Sequence, residues 1–248
     1  MTELLRIFGA PMILFGRTLV AIRRHGVDGR ATLKQVVEMG SRSSLLIVSG
    51  LAFFGAVMVT IAWAQARKYT GNITVVGPAY FELMVREFSP LLVAVLAASR
   101  IGAGTSAELA AMSVNEQVEA LELCAADPIA ELVTPRLIAS LIALPSLMII
   151  GTIASTVSAS LVVTFAFGAD GSAFTDARFI DPSDLVCAMS KALFCGAFIP
   201  LAAAARGLKA KGGAPAVGEA VTAAVVDASM GCLLIDFVVA AAFLLIGV

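Results

Sequence analysis

The sequence predicts an all-α integral membrane protein, and three observations lead to this fold class. Hydrophobic residues make up 59% of the 248 residues, whereas charged residues make up only 14%. The mean hydropathy is +0.96, well above that of ordinary soluble domains. Several segments also reach the roughly 20 consecutive apolar residues that a helix needs to cross a bilayer. We expect an N-terminal interfacial helix, five transmembrane helices and a short cytoplasmic helix between spans two and three.

Residues 1–42 predict a cytoplasmic amphipathic segment that lies in the membrane surface. Arg17 interrupts the first apolar run, and no small-residue cleavage site follows, which argues against a signal peptide. Arg6, Arg17 and Arg24 fall within about 20° of one another around a helix, opposite much of the apolar content. This arrangement is typical of a helix in the headgroup layer.

Residues 43–248 predict a transmembrane domain of five helices. The segments at about 43–66 and 137–167 contain no charged residue. The segments at about 76–99, 185–205 and 220–247 are also long enough to cross a bilayer but contain charged residues, among them Arg86, Glu87, Lys191 and Asp236. An odd number of spans places the two termini on opposite sides of the membrane.

The distribution of lysine and arginine predicts the orientation. Seven of these residues precede Ser43, whereas the side that follows spans one and three has only Arg67, Lys68, Arg86 and Arg178. Cytoplasmic segments carry the excess of basic residues. We therefore expect a cytoplasmic N-terminus and a C-terminus on the outer side.

An acidic segment, Glu116 to Asp127, separates two very apolar parts of the chain. On a helix, Glu116, Glu119 and Glu122 share one side, and Leu123 stands among them. An apolar residue on an acidic face predicts a docking surface for another protein. A solvated loop helix explains the same pattern.

The sequence gives little support to an enzyme. The only histidine is His25, in the basic N-terminal segment, which argues against a histidine-based catalytic or metal site within the membrane. The four cysteines have no metal-ligand spacing and are interpreted as small hydrophobic residues. No nucleotide-binding motif is present. We expect no cofactor, no metal and no nucleic-acid partner, and any ATP to be bound by another chain.

A series of short motifs in a fixed order resembles the MlaE-type permeases of ABC lipid transporters, which work with periplasmic MCE-domain proteins. The resemblance covers nearly the whole chain, and it is supported further by Lys191 in the fourth span and by Asp236 and Phe237 in the last. The densest matches are Arg86, Glu87 and Pro90; Arg100, Gly102, Ala107 and Glu108; Met112, Glu116 and Gln117; Asp127 and Pro128; Pro135 and Arg136; and Leu144 and Pro145.

The resemblance implies a function and a set of partners. The chain would be a homodimeric permease in a bacterial inner membrane, with two ATPase subunits, a ring of periplasmic MCE proteins and phospholipid held between the two permeases. The acidic segment, at about 116–127, would be the coupling helix that fits a groove of the ATPase. Its coupling residues would be Glu116, Gln117, Glu119, Glu122, Leu123 and Asp127.

Two departures from the family pattern concern the substrate. Relatives commonly read Arg-Glu-Leu-Gly-Pro and Gly-Arg-Ala-Gly, where this chain has Phe88-Ser89 within the first motif and Ser99 and Ile101 within the second. We expect the bulk of Phe88 and Ile101 to alter the cavity or the dimer contact. Sterols, fatty acids or other hydrophobic molecules are alternative substrates.

The intramembrane charges leave a second function open. A charge at the bilayer centre costs about 2.5 to 3.5 kcal/mol on insertion scales, so Arg86, Glu87, Lys191 and Asp236 are expected to pair or to face a wet cavity. A polar network beneath a lipid cavity is one interpretation, with Glu87 and Lys191 as the preferred pair. A structural role is the other interpretation: Arg86 and Glu87 would cap the second span, Lys191 would snorkel, and Asp236 would bond to a neighbouring helix. A stand-alone secondary transporter or channel would use the same charges to move protons or ions.

Overall fold

A computed structural model describes residues 2–69, 76–169, 171 and 180–246, and these form helices joined by short connections. Arg178, residues 70–75 and Gly247 lie outside the described residues, as does the side chain of Arg6. Within these described residues, three π-helical turns separate α-helical segments: Met84–Phe88, Ala98–Gly102 and Ile129–Val133. The α-helices are α1 (Thr2–His25), α2 (Gly29–Tyr69), α3 (Val76–Leu83), α4 (Ser89–Ala97), α5 (Ala103–Val114), α6 (Gln117–Leu123), α7 (Thr134–Phe167), α8 (Pro182–Gly207) and α9 (Ala214–Ile246).

Four segments of the described chain are long and apolar enough to cross a bilayer. They are Gly29–Lys68, Ile129–Phe167, Pro182–Gly207 and Ala214–Leu245. The first three contain the predicted spans at 43–66, 137–167 and 185–205, and the last contains all but the final two residues of the span at 220–247. The remaining predicted span, at 76–99, is helical but consists of α3, the first π turn, α4 and the first two residues of the second π turn. Its crossing of the membrane stays a prediction.

Helix α2 begins much earlier than the predicted first span. Asp28 caps it, since its carboxylate accepts hydrogen bonds from the backbone N–H of Arg30 at 2.8 Å and of Ala31 at 3.3 Å. A continuous stripe of buried residues then runs from Thr32 through Met39 to Leu51. Part of the segment predicted as interfacial therefore belongs to the same helix as the first span.

Helix α1 packs one narrow face on the protein. Ile7, Leu14, Thr18 and Ala21 are buried at helical spacing, and the helix lies against α8 and the π turn Ile129–Val133. Arg17 is exposed. The rest of the surface carries both apolar and basic side chains, a composition that suits a headgroup layer.

The acidic helix α6 is shorter than the predicted 116–127. Glu116 and Ala125 both have left-handed backbone conformations, with φ of 57° and 60°. The N–H of Ala126 bonds to the carbonyl of Leu121 at 3.1 Å, which closes the last turn. The chain then bends away, which leaves Cys124 exposed while Cys187, Cys195 and Cys232 are buried. Of the four cysteines interpreted as small hydrophobic residues, Cys124 is therefore the one that does not pack in the described core.

Small residues allow α2 and α7 to approach closely. A Cβ atom at position 55 would lie 2.5 Å from the backbone oxygen and the hydroxyl of Ser155. The hydroxyls of Ser155 and Tyr80 lie 3.2 Å apart and join α3 to the same contact. Close packing of this kind replaces the hydrophobic effect as the force between helices in a membrane.

Substitution of Gly55 by alanine tests this contact. We expect Gly55→Ala to lower the Tm of the purified protein in detergent by about 5 °C, because overpacking costs about 1 to 3 kcal/mol. Gly40→Ala, on the same helix, is the control, since a Cβ there meets nothing within 4 Å. Equal Tm values for both variants would contradict the close approach of α2 to Ser155.

Candidate functional site

The first π turn, Met84–Phe88, positions two adjacent charged residues. Neighbouring residues on a helix project about 100° apart, so Arg86 and Glu87 reach different partners on α8. The Arg86 guanidinium lies 3.0 Å from Asp184 Oδ1, and Glu87 Oε2 lies 2.5 Å from Lys191 Nζ. Single π turns inside helices are frequent at functional sites.

Lys191 is the centre of this charge cluster. It is 1% exposed and is the largest fully buried side chain among the described residues. Besides Glu87, its ammonium lies 3.3 Å from Asp236 Oδ1 on α9 and donates to the backbone carbonyl of Arg86 at 3.2 Å. Lys191 thereby joins the π turn, α8 and α9.

The structure brings together all four predicted intramembrane charges, Arg86, Glu87, Lys191 and Asp236, and the expected contact between Glu87 and Lys191 is present. Arg86 Nε also lies 3.7 Å from Glu87 Oε1. These contacts describe the arrangement of the charges, and their role in function stays a prediction.

Asp184 is a member of the cluster that sequence reasoning missed. It lies just before the predicted span at about 185–205, yet it is 3% exposed and forms the ion pair with Arg86. It also accepts a hydrogen bond from the backbone N–H of Asp181 at 3.2 Å, as half of a capping box at the start of α8. The spacing Asp181-Pro182-Ser183-Asp184 was the available signal, since Pro at the first helical position and an acid at the third mark a helix start.

A second pair of ion contacts lies at the opposite end of the helices. Arg136, at the start of α7, contacts Glu108 on α5 at 2.8 Å, and Arg206, at the end of α8, contacts Asp227 on α9 at 2.5 Å. The first pair joins α5 to α7 across the acidic helix α6, and the second joins the consecutive helices α8 and α9. They stabilise the end of the bundle from which α6 projects.

Helix α6 presents most of the predicted coupling residues to the surroundings. Glu116, Gln117, Glu119 and Glu122 are exposed, and Leu123 is 89% exposed, which is unusual for a leucine in a helix of seven residues. Asp127 differs, because its carboxylate accepts a hydrogen bond from the backbone N–H of Ile129 at 2.9 Å. Asp127 therefore caps the next turn and is only half-buried.

Phe88 and Ile101 pack inside the protein. Ile101 is 4% exposed within the core of the bundle, and the Phe88 ring lies 5.3 Å from the Phe54 ring. Their bulk fills space between helices of one chain. The effect of these residues on a cavity or on a dimer contact stays a prediction.

Comparisons with known proteins agree with this architecture. The family model described as Permease MlaE matches residues 32–242. The chain is 32% identical over 233 residues to the protein TRIGALACTOSYLDIACYLGLYCEROL 1, chloroplastic, of Arabidopsis thaliana, covering 93% of this chain and 66% of the plant protein. It is 30% identical to a probable ABC transporter permease protein of Rickettsia prowazekii, over 85% of this chain and 82% of the relative. A probable ABC transporter permease protein of Synechocystis is also 30% identical, over 92% of this chain and 87% of the relative.

The helical bundle, its apolar spans and these relatives define an ABC transporter permease, the membrane-embedded subunit of such a transporter. This class implies a membrane context and an ATPase partner. Within the class, the chain belongs to the MlaE permease family.

Removal of Lys191 tests the charge cluster. We expect Lys191→Met to lower the Tm in detergent by about 10 °C, because breaking a buried ion pair costs about 3 to 5 kcal/mol and leaves Glu87 and Asp236 uncompensated. The double variant Glu87→Gln with Lys191→Met is expected to lose less than the sum of the two single variants. Lys209→Met, which removes an exposed lysine just beyond α8, is the control. Strict additivity would mean that Glu87 and Lys191 do not stabilise each other.

Proposed function

We propose that this chain moves phospholipid between the cytoplasmic membrane of a bacterium and a periplasmic MCE carrier, as the permease of a homodimeric ABC transporter. ATP hydrolysis takes place on the separate ATPase subunit. Membership of the MlaE permease family supports the proposal. The name of the Arabidopsis relative, which is that of a diacylglycerol lipid, supports a lipid substrate.

The observation that carries the coupling part of the proposal is the exposure of Leu123. Leu123 is 89% exposed among glutamates on a short helix outside the bundle, so its burial by another protein would contribute favourable hydrophobic free energy. Burial of Leu123 in an ATPase groove, with Glu119 and Glu122 facing basic side chains, removes this cost. The fixed bends at Glu116 and Ala125 hold α6 in one orientation relative to the bundle.

We assign the charge cluster of Arg86, Glu87, Asp184, Lys191 and Asp236 a role in transport. Ion pairs between separate helices are two-state contacts, because each pair is either formed or replaced by water or another partner. Movement of α8 or α9 against the first π turn, driven by the ATPase subunits, would exchange these pairs. The cluster would thus link ATPase closure to the shape of the lipid path.

The alternative is a secondary transporter or channel that uses the cluster to move protons or ions. The buried, ion-paired Lys191 is the observation that favours it. Such a transporter has no need for a docking helix. The two functions therefore differ in whether α6 binds an ATPase.

The double substitution Leu123→Asp with Glu119→Lys tests this docking. We expect it to reduce the ATPase that copurifies with the permease at least tenfold, because a buried apolar contact and a charge contact are both lost. Single exposed ion pairs contribute only about 0.2 to 1 kcal/mol, so Glu119→Lys alone should have little effect. Glu219→Lys, an exposed acidic residue at the start of α9, is the control. Unchanged copurification of a folded double variant would refute the coupling assignment.

Native Cys124 offers a test of the proposed topology. It is the exposed one of the four cysteines, and it follows α6 directly. A membrane-impermeant maleimide should label it only after cells are permeabilised, with Cys124→Ser as the background. Labelling in intact cells would place α6 on the outer side and exclude contact with a cytoplasmic ATPase.

A further inference from the structure

A groove of about 170 Å³ opens between α2 and the second π turn with α5. The side chains of Glu38, Arg42 and Ser43 line it on α2, and Arg100, Gly104 and Glu108 line it on the other side. It is separate from the charge cluster around Lys191 and from α6. Neither the transport cluster nor the coupling helix accounts for its residues.

The ion pairs in the groove leave one positive charge without a partner. Arg42 pairs with Glu38 at 2.6 Å, and Glu108 pairs with Arg136 at 2.8 Å. Arg100 is exposed and makes no ion pair with the residues that the structure describes. A guanidinium in this position is free to bind an anion, and its planar donors match phosphate oxygens.

Ser43 adds an unsatisfied donor to the same groove. The residue is 1% exposed, and its hydroxyl has no hydrogen-bond partner in the described part of the chain. Ser49, one and a half turns further on, donates instead to the carbonyl of Leu45 at 2.7 Å, as helical serines commonly do. A buried hydroxyl without a partner is unfavourable, and a hydrogen bond to a ligand oxygen would offset this cost.

The surroundings of the groove identify the kind of anion. In the proposed topology Arg42 and Arg100 lie where α2 enters the membrane from the cytoplasm. Leu45, 79% exposed, and Leu46, 41% exposed, follow within about one turn toward the membrane interior. A phosphate with acyl chains attached satisfies both the cationic groove and this apolar surface.

We propose that the groove binds the phosphate of a glycerophospholipid in the cytoplasmic leaflet. Arg100 and Arg42 contact the phosphate oxygens, the Ser43 hydroxyl donates to one of them, and the acyl chains lie along Leu45 and Leu46. Gly104 leaves the groove open, because a Cβ there meets nothing within 4 Å. The inference rests on the proposed function for its membrane placement, and it adds a lipid site on the side of the membrane where the ATPase binds.

Native mass spectrometry of the purified protein in detergent, without ATPase, tests the site. The probe is dioleoylphosphatidylethanolamine, with diolein as the matched lipid that lacks the phosphate. We expect Arg100→Gln and Gly104→Leu each to weaken phosphatidylethanolamine binding about tenfold, and diolein binding to be unchanged. Ser43→Ala should weaken binding without lowering the Tm, a combination that a purely structural serine would not give. Arg30→Gln, which removes an exposed arginine from the same helix, is the control.

Three results would overturn the proposal. The first is that the Arg100→Gln variant binds phosphatidylethanolamine as tightly as the native protein. The second is that inorganic phosphate at millimolar concentration displaces the lipid. The third is that the variants change only the oligomeric state. The second result would indicate a site for soluble phosphate, and the third a contact between two copies of the chain. Loss of lipid binding in Arg100→Gln would support this binding site even if the complete transporter moved no lipid and the proposed function failed. Lipid transport with unaltered binding in Arg100→Gln would refute this site alone.

Discussion

The burial of the Lys191 ammonium is the constraint on which the arrangement of the helices depends. A cation that is 1% exposed in an apolar bundle is unfavourable unless acidic groups pair with it. Glu87 on the first π turn and Asp236 on α9 provide the negative charge, and the carbonyl of Arg86 accepts a further hydrogen bond. Three parts of the chain that are distant in sequence are thus fixed against one another at one point.

The rest of the bundle is consistent with this anchor. Asp184, in the first turn of α8, forms an ion pair with Arg86, the residue next to Glu87. Small residues bring α2 and α7 together on another side of the bundle, and the pairs Arg136–Glu108 and Arg206–Asp227 join helices at the other end. Helix α6 projects from that end with almost no burial of its own. In the proposed function, this exposed helix receives force from the ATPase, and the bundle transmits it to the membrane.

Much of the fold could be predicted from the sequence because a bilayer imposes simple requirements. The length of apolar segments located α7, α8 and α9, and the cost of burying charge indicated that Glu87 and Lys191 would pair. The same reasoning did not find the π turns, because a single extra residue in a helical turn leaves no change in composition. It also missed the Asp28 cap that extends α2 and the role of Asp184, since a local capping box looks like an acidic loop when it is judged by charge alone. The length of α6 depended on left-handed conformations at Glu116 and Ala125, which neither residue type predicts.

The most direct test of the whole account is the energy source of lipid movement. The permease, its ATPase and the periplasmic carrier would be reconstituted in proteoliposomes, and transfer of a fluorescent phospholipid to or from the carrier would be measured with ATP, with a non-hydrolysable analogue and with an imposed proton gradient. The account predicts transfer that requires ATP hydrolysis and that is lost with the Leu123→Asp and Glu119→Lys permease. Proton-driven transport or ion flux by the permease alone, without ATP, would contradict it.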